Sequence, residues 1–114
     1  MRHEPLTIED VSPSTNRTRI LRLTGPITIS NLFDFQAKVR ANTSRALILD
    51  MAGVPYVDSA GIGALVGAHV NHNKDNRSLA LVGVNDRVLG TLQVTHVDTF
   101  FKRYDSVAAA EAAG

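Results

Sequence analysis

The stretch Ala46-Leu47-Ile48-Leu49-Asp50-Met51-Ala52-Gly53-Val54-Pro55-Tyr56-Val57-Asp58-Ser59-Ala60-Gly61-Ile62-Gly63 decides the fold. Its opening, Ala46 to Leu49, is a continuous apolar run too short for a helix, the pattern of a strand covered on both faces, and it closes with Asp50. Met51 to Val57, which contains Gly53 and Pro55, reads as a connection. Asp58 or Ser59 is placed to cap a helix, after which Ile62, Leu65, Val66 and Val70 recur at helical spacing as its core stripe. Asn71, Asn73, Asp75 and Asn76 are expected to break that helix.

Upstream, Leu6-Thr7-Ile8-Glu9 alternates apolar and polar, the period of a strand with one wet face, and Ser12 to Asn16 supplies turn residues. Thr18 to Thr24 reads as a second strand, stopped by Gly25-Pro26 because proline removes a ladder donor, so the two strands suggest a hairpin. From Ser30, Leu32, Phe35 and Val39 fall on one helical face, with Asp34 near the positive and Arg40 near the negative end of the dipole. Downstream, Leu79 to Val82 is another short buried strand ending at Gly83. Asn85-Asp86 can cap a helix carrying Val88, Leu89 and Leu92. A short strand around Phe100 to Tyr104 precedes Ser106 to Ala113, an alanine-rich last helix. The order implies an α/β fold: one domain over 1–114, with a mixed, largely parallel sheet of about five strands, right-handed crossovers and covering helices.

A chain of 114 residues, 44% hydrophobic and 20% charged, has room for one core and is not composed like a disordered segment. With a net charge of +1 and no basic run longer than Lys102-Arg103, it lacks a sequence-level footprint for nucleic acid. Having no cysteine, it has no disulfide, thiolate metal site or cysteine nucleophile, which suits a reducing compartment. The longest near-apolar run, Ala60 to Ala68, is far shorter than the roughly 20 residues of a membrane span. The first residues carry no signal-peptide pattern, so a cytoplasmic protein without membrane insertion is the expectation.

The chemistry concentrates at Val57 to Gly63. A strand-to-helix junction is where an open α/β sheet meets ligands and partners. Ser59 sits where unpaired N–H groups and the macrodipole favour negative charge, so a phosphate there is compatible with the helix and changes surface potential more than packing. A serine or aspartate before an apolar helix is usually only a cap, which is what spacing alone favours, and a cap by itself implies no switch. Gly61, Gly63 and Gly67, with Ala60, Ala64 and Ala68, leave one side of the helix nearly bare; it either packs closely on the sheet or forms a shallow platform for a partner. Asp50 is read first as a turn cap and otherwise as part of the functional surface.

Enzyme motifs fail on spacing. Val57 stands where a nucleophile elbow needs glycine, and Val66 where a dinucleotide fingerprint needs one. His69 and Asn71-His72 offer two histidines three apart without a third ligand nearby; solvated surface histidines are the simpler reading, and no metal or cofactor is assigned.

The run Leu47-Ile48-Leu49-Asp50, then Val54, then Val57-Asp58-Ser59-Ala60-Gly61-Ile62-Gly63-Ala64-Leu65 resembles the central signature of the STAS domain of bacterial anti-sigma factor antagonists. Similarity extends through Leu79 to Gly83, Val88 to Thr95 and Phe100 to Ser106. The resemblance implies a single STAS-like domain that is not an enzyme. It implies that Ser59 is the phosphoacceptor of an anti-sigma factor with serine kinase activity, which carries the ATP, and that a separate serine phosphatase resets the switch. Unphosphorylated antagonist would bind the anti-sigma factor and free the sigma factor; phosphorylated antagonist would let go. The implied partner surface is Asp58, Ala60, Gly61, Gly63, Ala64, Gly67, Thr28 and Asp50. Relatives often carry a second hydroxyl after the phosphoacceptor, whereas Ala60 stands here, leaving Ser59 alone in the motif. They usually have an aspartate where this chain has Thr28, which is also placed to cap the first helix. A scaffold in a sensory or transporter-associated complex and a small-ligand module remain alternative uses of the same surface.

Overall fold

The structure, a computed structural model, describes residues 5–11, 13 and 17–113. Strands β1 (Thr7–Val11) and β2 (Thr18–Thr24) pair antiparallel, with Ile8 opposite Leu23 and Val11 opposite Ile20. The expected hairpin is therefore present, one residue later than read for β1, while its turn at Ser12 and Ser14 to Asn16 lies outside the described residues. β3 (Ala46–Gly53), β4 (Ser78–Val82) and β5 (Lys102–Tyr104) add in parallel, giving the order β1-β2-β3-β4-β5.

Each parallel step needs a helix to carry the chain back. The helices are α1 (Leu32–Arg40), α2 (Ser59–Lys74) and α3 (Asp86–Val94). Because successive strands add on one side and crossovers are right-handed, all three fall on the same face. Leu32, Phe35 and Val39 of α1, Ile62 and Leu65 of α2, and Val88 and Leu92 of α3 pack there on Leu21, Leu23, Leu47, Leu49, Met51, Leu79 and Leu81. The other face holds a smaller cluster of Ile20, Ile48 and Val82 beneath Ala110 of α4 (Val107–Ala113). β3 is thus covered on both sides, as its apolar run implies. Ser106 caps α4 through a hydroxyl accepting from the Ala109 N–H at 3.1 Å.

Several boundaries differ from the sequence reading. β3 does not close at Asp50: Met51 is buried in the main core and Gly53 pairs with Thr24, so the strand runs on. Phe100 lies in a 3₁₀ turn (Asp98–Phe100), and β5 starts only at Lys102. Asn71 and Asn73 do not break α2, since both are exposed and cost the helix only their modest propensity. The helix stops at Asp75, and Asn76 turns the chain with φ 59°. Val70 is 52% exposed and does not belong to the core stripe, which runs instead through Gly61, Ile62, Ala64, Leu65, Ala68 and His72.

His72 is the main correction among the polar residues. It is 2% exposed, not a solvated surface histidine. Its Nδ1–H donates to the Ala68 carbonyl at 2.9 Å, which leaves Nε2 to accept from Asn42 Nδ2 at 3.0 Å. Asn42 is held in that orientation because its Oδ1 accepts from the Ser44 N–H at 3.0 Å. A proton on Nε2 would set donor against donor. Burial pushes the His72 pKa down, with nearby Arg77 and His69 acting in the same sense, and the Ala68 bond and Asp75 opposing.

The sign of the resulting pH dependence follows. Below the ordinary histidine value of 6.5 the unfolded chain binds a proton that the folded chain resists. The His72 contribution is therefore complete above that value and is lost as pH falls from it toward the lower folded pKa. Urea midpoints should decline between neutral and mildly acidic pH, and the decline should flatten in His72→Gln; an unaltered slope in that variant excludes His72 as its source.

Candidate functional site

The carboxyl ends of the parallel strands feed three loops, and these are tied to one another by polar contacts. Ile27 and Val57 form an isolated parallel bridge, with the Ile27 N–H donating to the Tyr56 carbonyl at 3.3 Å and the Asp58 N–H to the Ile27 carbonyl at 3.2 Å. Asn85 Nδ2 donates to the Val54 and Pro55 carbonyls at 3.1 and 3.2 Å, while its Oδ1 caps α3 by accepting from the Val88 N–H at 2.7 Å. The Arg87 guanidinium lies over the Tyr56 ring, 4.7 Å from its centroid. The start of α2 is thereby held from both sides.

Asp58, not Ser59, is the cap. Its Oδ1 accepts from the Gly61 N–H at 2.8 Å, inside α2, and its Oδ2 accepts from the Ile29 N–H at 3.0 Å, in the loop after β2. One carboxylate thus satisfies donors from two segments, and charge-assisted bonds of this kind are the strong ones. Ser59 is left exposed at the first helical position. The first-turn N–H groups around it have no intrahelical partner and, with the dipole, give a local preference for negative charge.

The sequence-derived residues divide sharply. Ser59, Gly63 and Gly67 are exposed, with open space where a Cβ would stand at either glycine, and Ala60 and Asp58 are partly buried. Gly61 and Ala64 are buried and do not reach the surface, which corrects their assignment as partner contacts. A Cβ on Gly61 would overlap the Ile27 carbonyl oxygen, so this glycine permits the close approach of α2 to the β2–α1 loop. The small residues therefore do not share one side of the helix: Gly61, Ala64 and Ala68 pack inward, whereas Gly63 and Gly67 face outward.

Thr28 lies between the two residues that bond to Asp58, close to the start of α2. Its hydroxyl pairs with that of Ser30 at 2.8 Å and does not cap α1; it is the Thr28 carbonyl that accepts from the Leu32 N–H at 2.9 Å. Asn31 completes this turn, its Oδ1 accepting from the Thr28 N–H at 3.0 Å and its Nδ2 donating to the Pro26 carbonyl at 2.9 Å. Asp50 is not part of the assembly. Strand alternation puts it with Ile48 on the face away from α2, where it pairs with Arg22 at 3.5 Å and accepts from the Ala52 N–H at 3.2 Å; since β3 runs on to Gly53, it does not cap a turn at a strand end as read from the sequence.

Sequence reasoning missed two large apolar residues that are exposed. Ile29 is 66% and Phe33 74% exposed, on the loop that Asp58 holds and in the first turn of α1. Phe33 was detectable as the apolar residue lying off the Leu32, Phe35, Val39 stripe. Among the described residues no group of His, Cys, Asp or Glu is placed to hold a metal ion, and no helix is long and apolar enough to cross a membrane.

This arrangement, a five-stranded mixed sheet whose central strand leads through a short connection to a helix that opens on a solvent-facing serine just after a capping aspartate, is that of a known domain class. The family model of the STAS domain matches residues 11–110, and the chain belongs to that family. The chain is 28% identical over 68 residues to the anti-sigma-B factor antagonist of Staphylococcus aureus, a stretch covering 60% of this chain and 63% of that protein. The fold is similar to a crystal structure of an anti-sigma factor antagonist from Mycobacterium paratuberculosis, with a TM-score of 0.82, 17% identity, and 96% of this chain and 93% of that one covered. It is also similar to the Bacillus cell fate determinant SpoIIAA in its phosphorylated form, with a TM-score of 0.72 and 14% identity over 95% of this chain and 100% of that one.

Four substitutions test the local physics. Gly61→Ala should destabilise by about 1 to 3 kcal/mol through overpacking, whereas Gly63→Ala should be neutral or stabilising by up to about 1 kcal/mol. Urea denaturation measures both. Asp58→Ala should cost about 1 to 2 kcal/mol, while Asp58→Asn keeps one acceptor and should free the Ile29 amide to faster hydrogen exchange with α2 still intact.

Proposed function

We propose that this protein is an anti-sigma factor antagonist whose binding of a serine-kinase anti-sigma factor is controlled by phosphorylation of Ser59. The observation that carries the reading is the separation of roles at the start of α2: Asp58 does the capping, so the exposed Ser59 hydroxyl is free for chemistry at no cost to the helix.

The docking surface takes in Ser59, Gly63 and Gly67 on the exposed side of α2, partly buried Ala60 and Thr28, and two exposed apolar residues, Ile29 of the loop bonded to Asp58 and Phe33 of α1. Apolar side chains with large exposed areas supply binding energy, and bare glycines admit close backbone approach. Ile29 and Phe33 join the surface, while Gly61 and Ala64 support it from beneath.

In the transfer step the Ser59 oxygen attacks the γ-phosphorus of ATP held by the partner. The bond to the β-phosphate oxygen breaks, ADP leaves, and the hydroxyl proton passes to a base on the partner. The product carries about −1.5 to −2 charges beside the committed Asp58 carboxylate. In the free protein that charge stays in water near the helix N-terminus and is tolerated. In the complex it is desolvated next to a carboxylate, and an uncompensated charge there costs several kcal/mol; even about 3 kcal/mol lowers affinity roughly a hundredfold. A serine phosphatase reverses the step by hydrolysis, releasing inorganic phosphate.

The family similarity and the neighbouring fold described in a phosphorylated form support this reading. Incubating the protein with ATP and kinases encoded beside its gene, then measuring intact mass, should show one added phosphate that Ser59→Ala abolishes. Ser59→Asp should weaken partner binding and leave the melting temperature nearly unchanged. Equal binding by wild type and Ser59→Asp, together with an unmodified mass, defeats the proposal.

A further inference from the structure

The opposite end of the sheet carries a feature that partner switching does not use. Arg17, Arg45 and Arg77 each stand immediately before a parallel strand. The ladder runs back to the first two: the Ala46 N–H donates to the Arg17 carbonyl at 3.0 Å and the Ser78 N–H to the Arg45 carbonyl at 2.9 Å. Because Thr18, Ala46 and Ser78 are in register, the arginines before them lie on adjacent backbones about 4.8 Å apart. Like charges side by side on neighbouring strands repel.

Arg77 is paired. Its guanidinium donates to the Asn42 carbonyl at 2.6 Å and to Asp75 at 3.2 Å. Arg17 and Arg45 are exposed, and among the described residues neither guanidinium has a carboxylate partner. Both line a cavity of about 320 Å³ that is otherwise formed by Thr18, Asn76, Ser78 and Glu111 with Ala46. Two guanidinium groups, the Ser78 hydroxyl and the Asn76 amide line the cavity with a single carboxylate, so its lining carries more positive than negative charge.

We infer that the amino-terminal edge of the sheet is a binding site for a phosphate-type dianion, free or carried on a small molecule. Arg17 and Arg45 supply its charge and fork-shaped donors, and Ser78 and Asn76 supply neutral ones. The anion offsets the repulsion between the two arginines. Glu111 of α4 opposes it, since its carboxylate lines the same cavity. The site is separate from Ser59: the 16-residue α2 lies between Ser59 and the Asn76 turn, a length of about 24 Å.

The test is a titration of the full chain, labelled with nitrogen-15, using inorganic phosphate in one arm and adenosine monophosphate in the other. Chloride holds ionic strength constant, and the pH stays above the second ionisation of phosphate. Saturable amide shifts grouped at Arg17, Arg45, Asn76 and Ser78 are expected, and the tighter of the two probes identifies the free or the carried form. Arg45→Gln should weaken binding about tenfold or more, Glu111→Gln should tighten it, and Ser59→Asp should leave it unchanged. Arg17→Gln serves as a second loss variant if Arg45→Gln disturbs the spectrum generally. Shifts that never saturate, that persist in both arginine variants, or that gather around Ser59 overturn the proposal.

Discussion

The Asp58 carboxylate is the constraint on which the functional end of the molecule depends. Its two oxygens take N–H groups from α2 and from the loop leading to α1, segments far apart in sequence. A neutral cap could satisfy the helix alone. The second bond fixes the height of the Ile29 loop against the helix start, and the Ile27–Val57 bridge fixes its direction. The fit is close enough that a side chain at position 61 would collide with the Ile27 carbonyl. Backbone held in this way under an exposed hydroxyl suits the proposed docking, because little ordering entropy would be lost on binding.

The same sheet order produces two chemically different ends. At the carboxyl ends of the strands, loops turn into helix starts, where backbone N–H groups and capping side chains gather. At the amino ends, helices finish and each new strand begins, and there the chain places Arg17, Arg45 and Arg77. The division is a consequence of parallel strands with crossovers on one side, which repeat each junction at the same level. Asp50, in contrast, projects to the face of α4, so it lies outside the Ser59 surface despite its closeness in sequence.

The elements with strong local patterns were legible in advance. Thr18–Thr24 appears with the bounds that its apolar alternation and Gly25-Pro26 imply, and α1 carries Leu32, Phe35 and Val39 inward as spaced. Asn85 caps α3 as its place before Val88 suggested. Boundaries failed where a partner strand or a burial site overrode local preference: β3 continues to Gly53 because β2 lies beside it, and α2 continues past Asn71 because His72 is anchored inside. The surroundings of His72 are not written in its spacing, since Asn42 reaches it from beyond the end of α1.

For the site, the sequence alone determined that a serine follows an aspartate at the start of the second helix, that the helix is rich in glycine and alanine, and that the chain lacks cysteine and the spaced enzyme motifs. Local chemistry sufficed, because caps, turns and periodicity are properties of adjacent residues. Only the tertiary structure decided that Asp58 caps while Ser59 faces solvent, that Gly61 and Ala64 are interior while Gly63 and Gly67 are not, and that Ile29 and Phe33 stand exposed on the Asp58 side of the fold. It alone brought Arg17 and Arg45 together, where the sequence shows isolated arginines and no basic run. The physical reason is that exposure and charge density depend on which backbones become neighbours, and strand pairing sets that across long stretches of chain.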